Sequence, residues 1–563
     1  MKRRSFLAGA AAGGAISVLD WLAWFERYGV PGTSKSLGLA SASAQAMGEP
    51  RYLIYWFQEG GWDSYCMFSP VDTPNHATMT VPAGTLNPMP SWSAQFYRPK
   101  GYPSATQALK AVEGNIEYGY LARDGLSLFP DLAVVASHEG NAFHSGSRLE
   151  YHYGKYSSYY APSALRAANE RTVMQAFCEA YGSAAPLPHV SWHRWLSDGE
   201  LSEATYTEGK GYYEKLGPAF AHTVYGQTPA DMRARLGSLG SVTNGAKGVR
   251  IRQFVDRLHD EFLTGKDGES VRAFASAVAI HRQLSGATGI TVNPATMFTD
   301  AALRTDFGVV PADEQPTSTS VNEMPARSKN APNTNVQAMM TYELMRAGIS
   351  IGFWIENRQI RGFDTHRDRQ SIRSNQGQSD QLGSMRRDLW TPLKALVAKL
   401  KSTPAPGSPG GKTLWECTTI VLASEMGRTI SGDVAGILMD NVKFPTDAEK
   451  YAEIMKQDCC QHWEVSSVAF LGGTVQGNRQ YGRVGATTLK GIPIMPDGSL
   501  DPAYDPITGA LISGRTKAAT SFLSDAGHVY ATALYLSGLD PDALRAANKG
   551  RNARAPMRFV KKP

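Results

Sequence analysis

Carboxylates and imidazoles recur in this chain just after apolar runs. In residues 349–366 the run ISIGFWI gives way to a polar turn and then to Asp364-Thr365-His366. An aspartate and a histidine two residues apart offer an oxygen and a nitrogen donor for zinc, manganese or iron, or an acid–base pair. The same residues serve equally in an Asx-type turn with an exposed imidazole. A second stretch follows RYLIYWF at 51–57 and reads Gln58-Glu59-Gly60-Gly61-Trp62-Asp63-Ser64. Paired glycines permit a tight turn, which places Asp63 as a ligand with Ser64 as a polar neighbour. A third follows DLAVVA at 131–136 and runs from Ser137-His138-Glu139 through Asn141, His144, Ser145 and Ser147. It is a site candidate or an ordinary polar loop. The run at 417–423 ends in Ser424-Glu425-Met426-Gly427-Arg428-Thr429, and His462 precedes the run at 465–471. A guanidinium at 428 can grip an anion through two parallel hydrogen bonds, or form a salt bridge to a nearby acid.

The elements that would position these residues are buried strands. Continuous β-branched and aromatic runs read as strands covered on both faces. Five such runs, at 52–57, 132–136, 349–355, 418–423 and 465–471, are expected in one sheet, mainly parallel. Helical patterns alternate with them, at 336–347 ending on Gly348, within 371–401, and at 525–536 with Gly538 just beyond. Pro392 should kink the second of these or start a new helix. This alternation predicts an α/β fold with a doubly wound, mostly parallel sheet. In such sheets ligands sit beyond the carboxyl ends of the strands. Residues 151–330 carry mainly helical pattern, clearest at 249–263 and 270–284, and read as a helical insertion or cap. His152, His189 and His193 fall there and read as structural.

Lys2-Arg3-Arg4-Ser5-Phe6-Leu7 and the Ala/Gly-rich segment after it resemble a twin-arginine export signal. Asp20 interrupts the apolar run, which is short for a membrane span. Ala44-Gln45-Ala46 offers a cleavage site, giving a signal peptide at 1–46 and a mature domain at 47–563, with no stable membrane span once cleaved. An uncleaved anchor is the alternative. The expected partner during export is the twin-arginine translocase, and the destination is the periplasm or the medium.

The chain of 563 residues is 42% hydrophobic, 10% aromatic and 19% charged, a globular composition. Its net charge of +6 includes the three basic residues of the signal. No dense basic run lies elsewhere beyond the short tail, which argues against a nucleic-acid partner. The five cysteines, Cys66, Cys178, Cys417, Cys459 and Cys460, are odd in number and widely spaced, unlike a disulfide framework. Vicinal Cys459-Cys460 reads as a soft-metal ligand, a strained disulfide, or two residues of which one is simply buried.

Together the stretches resemble a known family. The twin-arginine start, Gly60-Gly61-Trp62-Asp63, Phe143-His144, Gly362-Phe363-Asp364-Thr365-His366, Ser424-Glu425-Met426-Gly427-Arg428-Thr429, His462-Trp463 and Leu471-Gly472-Gly473 occur in the order seen in the secreted bacterial domain-of-unknown-function family numbered 1501. The resemblance spans nearly all of the mature chain except parts of the insertion. That family is similar in fold to the alkaline phosphatase and sulfatase superfamily.

The resemblance implies a metal-dependent hydrolase of phosphate or sulfate esters, acting on a small anionic ester or a sulfated or phosphorylated polymer. It makes Asp63, Asp364, His366, Glu425 and His462 the ligands of a divalent transition metal such as zinc. Met426 stands where the superfamily places a second ligand histidine, and Gln461 where the family has aspartate, so one ion is expected rather than two. The catalytic candidates are Arg428 for the anion, Ser145 as nucleophile and His144 beside it. A non-catalytic secreted binding or structural protein on the same fold, its metal site decayed, is the alternative.

Overall fold

The computed structural model describes residues 49–58, 60–62, 64, 67–70, 111–140, 147, 150–152, 154, 172–181, 185, 189–192, 228–234, 296–314, 332–357, 385–428, 442–443, 445–446, 449, 462–485, 488, 490–543 and 554–563. The strands among them are β1 (Tyr52–Gln58), β2 (Ala111–Glu113), β3 (Ile116–Tyr118), β4 (Ala133–Glu139), β5 (His189–Ser191), β6 (Gly352–Asn357), β7 (Thr418–Ser424), β8 (Gly427–Arg428), β9 (His462–Trp463), β10 (Val465–Gly472), β11 (Arg479–Tyr481), β12 (Arg483–Val484) and β13 (Gly491–Ile492). The α-helices are α1 (Val173–Tyr181), α2 (Ala301–Asp306), α3 (Thr334–Arg346), α4 (Thr391–Ser402) and α5 (Ala526–Leu536).

Seven strands form one sheet in the order β11-β4-β10-β7-β1-β6-β5. β1 pairs in parallel with both β6 and β7, β5 with β6, and β11 with β4. β10 is antiparallel to both of its neighbours, so β4 runs the same way as β7. The protein is therefore mixed α/β around a mostly parallel sheet. All five expected strand segments lie in it, although the third is displaced: it starts at Gly352 and runs through Asn357. Two of the sheet's strands, β5 and β11, lie outside the five apolar runs. β5 belongs to the segment read as an insertion, which thus supplies an edge of the sheet.

Every residue of β1, β6, β7 and β10 is buried, as strands covered on both faces require. Side chains alternate between the faces. On one face Tyr55 stacks on Trp354 at 5.0 Å, Phe57 meets Tyr151 edge-on, and His152 stacks on Trp354 at 3.8 Å. Asn357, of opposite parity to Trp354, faces Asp388 on the other side, in the π-helical turn Met385–Trp390 that leads into α4. Pro392 sits in the first turn of α4, where a missing N–H costs nothing. The periodic pattern at 371–401 is therefore broken before this proline in its described part. α3 ends with Gly348 at φ 66°, a left-handed residue that lets Ile349 N–H reach back to the Leu344 carbonyl at 2.9 Å. The same turn aims the chain into β6.

Cys178 and Cys417 are buried. Burial pushes the Cys417 thiol up to about 11, so it is a packing residue rather than a nucleophile. Cys66 and Cys459-Cys460 lie outside the described residues, as do the stretch at 1–46 read as an export signal and the helical patterns at 249–263 and 270–284.

Candidate functional site at the carboxyl edge of the sheet

The parallel strands deliver their ends to one row. Gln58 of β1 is level with Asn357 of β6 and with Ser424 of β7. On the far side of β10, Glu139 at the end of β4 is opposite Val465, where β10 begins. The carboxyl ends of β1, β4, β6 and β7, and the start of β10, therefore lie at the same edge. In the sequence the candidate residues adjoin these strand ends.

Glu425 is the candidate ligand whose side chain is placed, and it is fully buried just past β7. Gly60 N–H donates to its Oε2 at 2.9 Å. Ser147 Oγ, from the segment after β4, donates to its backbone carbonyl. Its own N–H points to the Gln58 carbonyl at 3.4 Å. Three strand exits thus converge on this one residue. Burying a carboxylate is costly unless hydrogen bonds or a positive charge compensate.

The turn that supplies the Gly60 amide has φ of 97° at Gly60 and 77° at Gly61, where glycine alone is comfortable. Beyond Glu425 the chain forms a short ladder. Gly427 pairs with Trp463 and Arg428 with His462. This ladder needs glycine at 427, because a Cβ there would lie 1.8 Å from the Val465 carbonyl oxygen. It brings the backbone of His462 to the backbone of Arg428, three residues from Glu425. Met426, between them, is fully buried. Ser64 Oγ donates to the same Val465 carbonyl at 3.3 Å.

Asp63, His144, Ser145, Asp364 and His366 lie outside the described residues, as do the side chains of Arg428 and His462. Among the described residues no group of three or more His, Cys, Asp or Glu side chains could hold a metal ion.

His138 belongs to β4 rather than to the loop after it, because the strand runs on to Glu139. Its Nε2 bonds Tyr151 Oη at 2.7 Å and its Nδ1 bonds Ser524 Oγ at 3.1 Å. Burial lowers its pKa to about 4, against a smaller opposing pull from Asp525. It is thus a neutral tether that joins the base of segment 139–151 to the C-terminal region. Burial likewise raises Glu139 above the usual carboxylate range, helped by the nearby charges of Glu464 and Asp525. A carboxyl poised in this way at the functional edge is an acid–base candidate. Only its place just after the apolar run at 131–136 marks it in the sequence. Comparison with models of known protein families and with curated proteins finds no match.

Proposed function

We propose that this chain is an exported, metal-dependent hydrolase of phosphate or sulfate esters, built on an alkaline phosphatase/sulfatase-like sheet. The observation that carries the reading is Glu425: a fully buried carboxylate at the row where the strand exits meet. Its donor chemistry fits a hard or borderline cation, and the ladder at 427–428 and 462–463 brings a histidine position close by. Asp63, Asp364, His366, Glu425 and His462 would hold one transition-metal ion, zinc among the candidates. Such an ion, when bound, polarises an ester oxygen and lowers the pKa of water towards about 7. Arg428 would orient the anionic ester, with Ser145 as nucleophile and His144 holding its proton. The motif Lys2-Arg3-Arg4-Ser5-Phe6-Leu7 supports export through the twin-arginine translocase to the periplasm or medium. The order of motifs supports kinship with the family numbered 1501.

One observation favours a second reading, a non-catalytic binding protein on the same fold. Met426, next to Glu425, is fully buried and offers only a thioether, a poor zinc ligand. Activity separates the two readings. Full-length protein exported from a host with a twin-arginine system is assayed on aryl phosphate and aryl sulfate, with and without chelator. The hydrolase reading expects turnover of at least one ester that chelator abolishes and zinc or manganese restores. No turnover of either ester, by protein that carries no metal and takes up none when zinc or manganese is added, would favour the binding protein.

A further inference from the structure

Ser424 closes β7 in the row it shares with Gln58. It is fully buried, and its hydroxyl is used twice. It donates to the Gln58 carbonyl at 2.9 Å and accepts from Trp62 N–H at 2.8 Å. One hydroxyl has the donor and the lone pair for both. The entry and the exit of the Gly60-Gly61 turn are therefore tied to a single oxygen. The next residue, Glu425, holds the middle of the turn through Gly60 N–H. Both glycines have left-handed φ, and glycine is the residue with most backbone freedom to lose. A chain of this kind needs external bonds to leave the turn in one direction. Trp62 is the last residue before Asp63.

We infer that Ser424 is a positioning residue for the metal centre: its hydroxyl sets the direction in which the chain leaves the turn towards position 63, relative to Glu425. The inference rests on the metal reading above. It also explains why a serine ends a strand that is otherwise apolar from Ile420 to Ala423. Ser467 on β10 provides the control. It is equally buried, but its hydroxyl has no hydrogen-bond partner among the described residues.

Cobalt(II) is the probe, because its visible spectrum reports ligand geometry. Wild type, Ser424→Ala, Ser424→Thr and Ser467→Ala are exported as full chains, stripped with chelator and titrated with cobalt(II). Hydrogen exchange of the peptide covering residues 60–62 is followed in parallel. Ser424→Ala should weaken cobalt(II) binding about tenfold or more, as loss of an outer-shell partner does. It should also alter the visible band and speed exchange of the Trp62 amide. Ser424→Thr, which keeps the hydroxyl, should restore the wild-type band, and Ser467→Ala should change nothing. In wild type alone, saturating cobalt(II) should slow Trp62 exchange, a result that needs no variant to fold. The inference is overturned if Ser424→Ala matches Ser467→Ala, or if cobalt(II) leaves Trp62 exchange in wild type unchanged. A wild type that binds no cobalt(II) defeats the metal reading itself and this inference with it.

Discussion

Glu425 carries the functional reading, and its consequences are testable one atom at a time. Glu425→Gln keeps the shape and the oxygen that accepts from Gly60 N–H but removes the charge. The expected outcome is a folded protein whose metal affinity falls by more than the roughly 10–100-fold that loss of an outer-shell partner costs. Metal titration checks this, with a thermal melt to confirm folding. Gly427→Ala is expected to act on stability instead. The new Cβ would press on the Val465 carbonyl, which is backbone and cannot rotate away. Overpacking of this kind costs about 1–3 kcal/mol, read from denaturant unfolding. The chemistry-bearing residue types were legible in the sequence because each lies beside an apolar run, His462 before one and the others after. The bonds that organise them were not. Nothing local says that Ser424 will accept from Trp62 or that Ser147 will reach the Glu425 carbonyl, since those partners are brought together only by the sheet.

Single elements explain which parts of the fold could be read in advance. β1, β7 and β10 announce themselves because a strand buried on both faces reads as a near-continuous apolar run. The same burial hides direction: β10 is antiparallel to both of its neighbours, yet it reads as an apolar run just as the parallel strands do. The three-residue edge strands β5 and β11 have too few residues to show any period. Helix ends were more legible. Asp525 caps α5 in a reciprocal capping box with His528 and also pairs with Arg554. Burial alone would raise its pKa, but the His528 hydrogen bonds and the Arg554 charge outweigh that and hold it at about 2. Asp525→Ala should cost about 1–2 kcal/mol, and Asp525→Ser, which keeps a capping oxygen, should recover part of it. Differential melting of the two variants decides the point.

At the scale of the whole molecule, a buried histidine in each half of the sheet makes stability depend on pH. His138 and His189, on opposite sides of β1 in strand order, are both lowered from 6.5 to about 4 by burial. A histidine with a depressed folded pKa binds its proton more readily when unfolded. Its stability contribution is present above pH 6.5 and is lost as pH falls from there towards 4. Asp525, lowered from 3.8 to about 2, contributes above pH 4 and fades between there and 2. Urea unfolding should therefore show stability falling steadily below pH 6.5. His138→Gln, which is neutral at every pH, should flatten part of that slope.

The central claim is that the carboxyl edge holds a metal centre that includes Glu425. Elemental analysis of the full chain, exported in its native host and purified without chelator, tests it most directly. The predicted result is close to one transition-metal ion per chain in wild type and almost none in Glu425→Gln. A wild type free of transition metal, or a Glu425→Gln protein with undiminished metal, would contradict it.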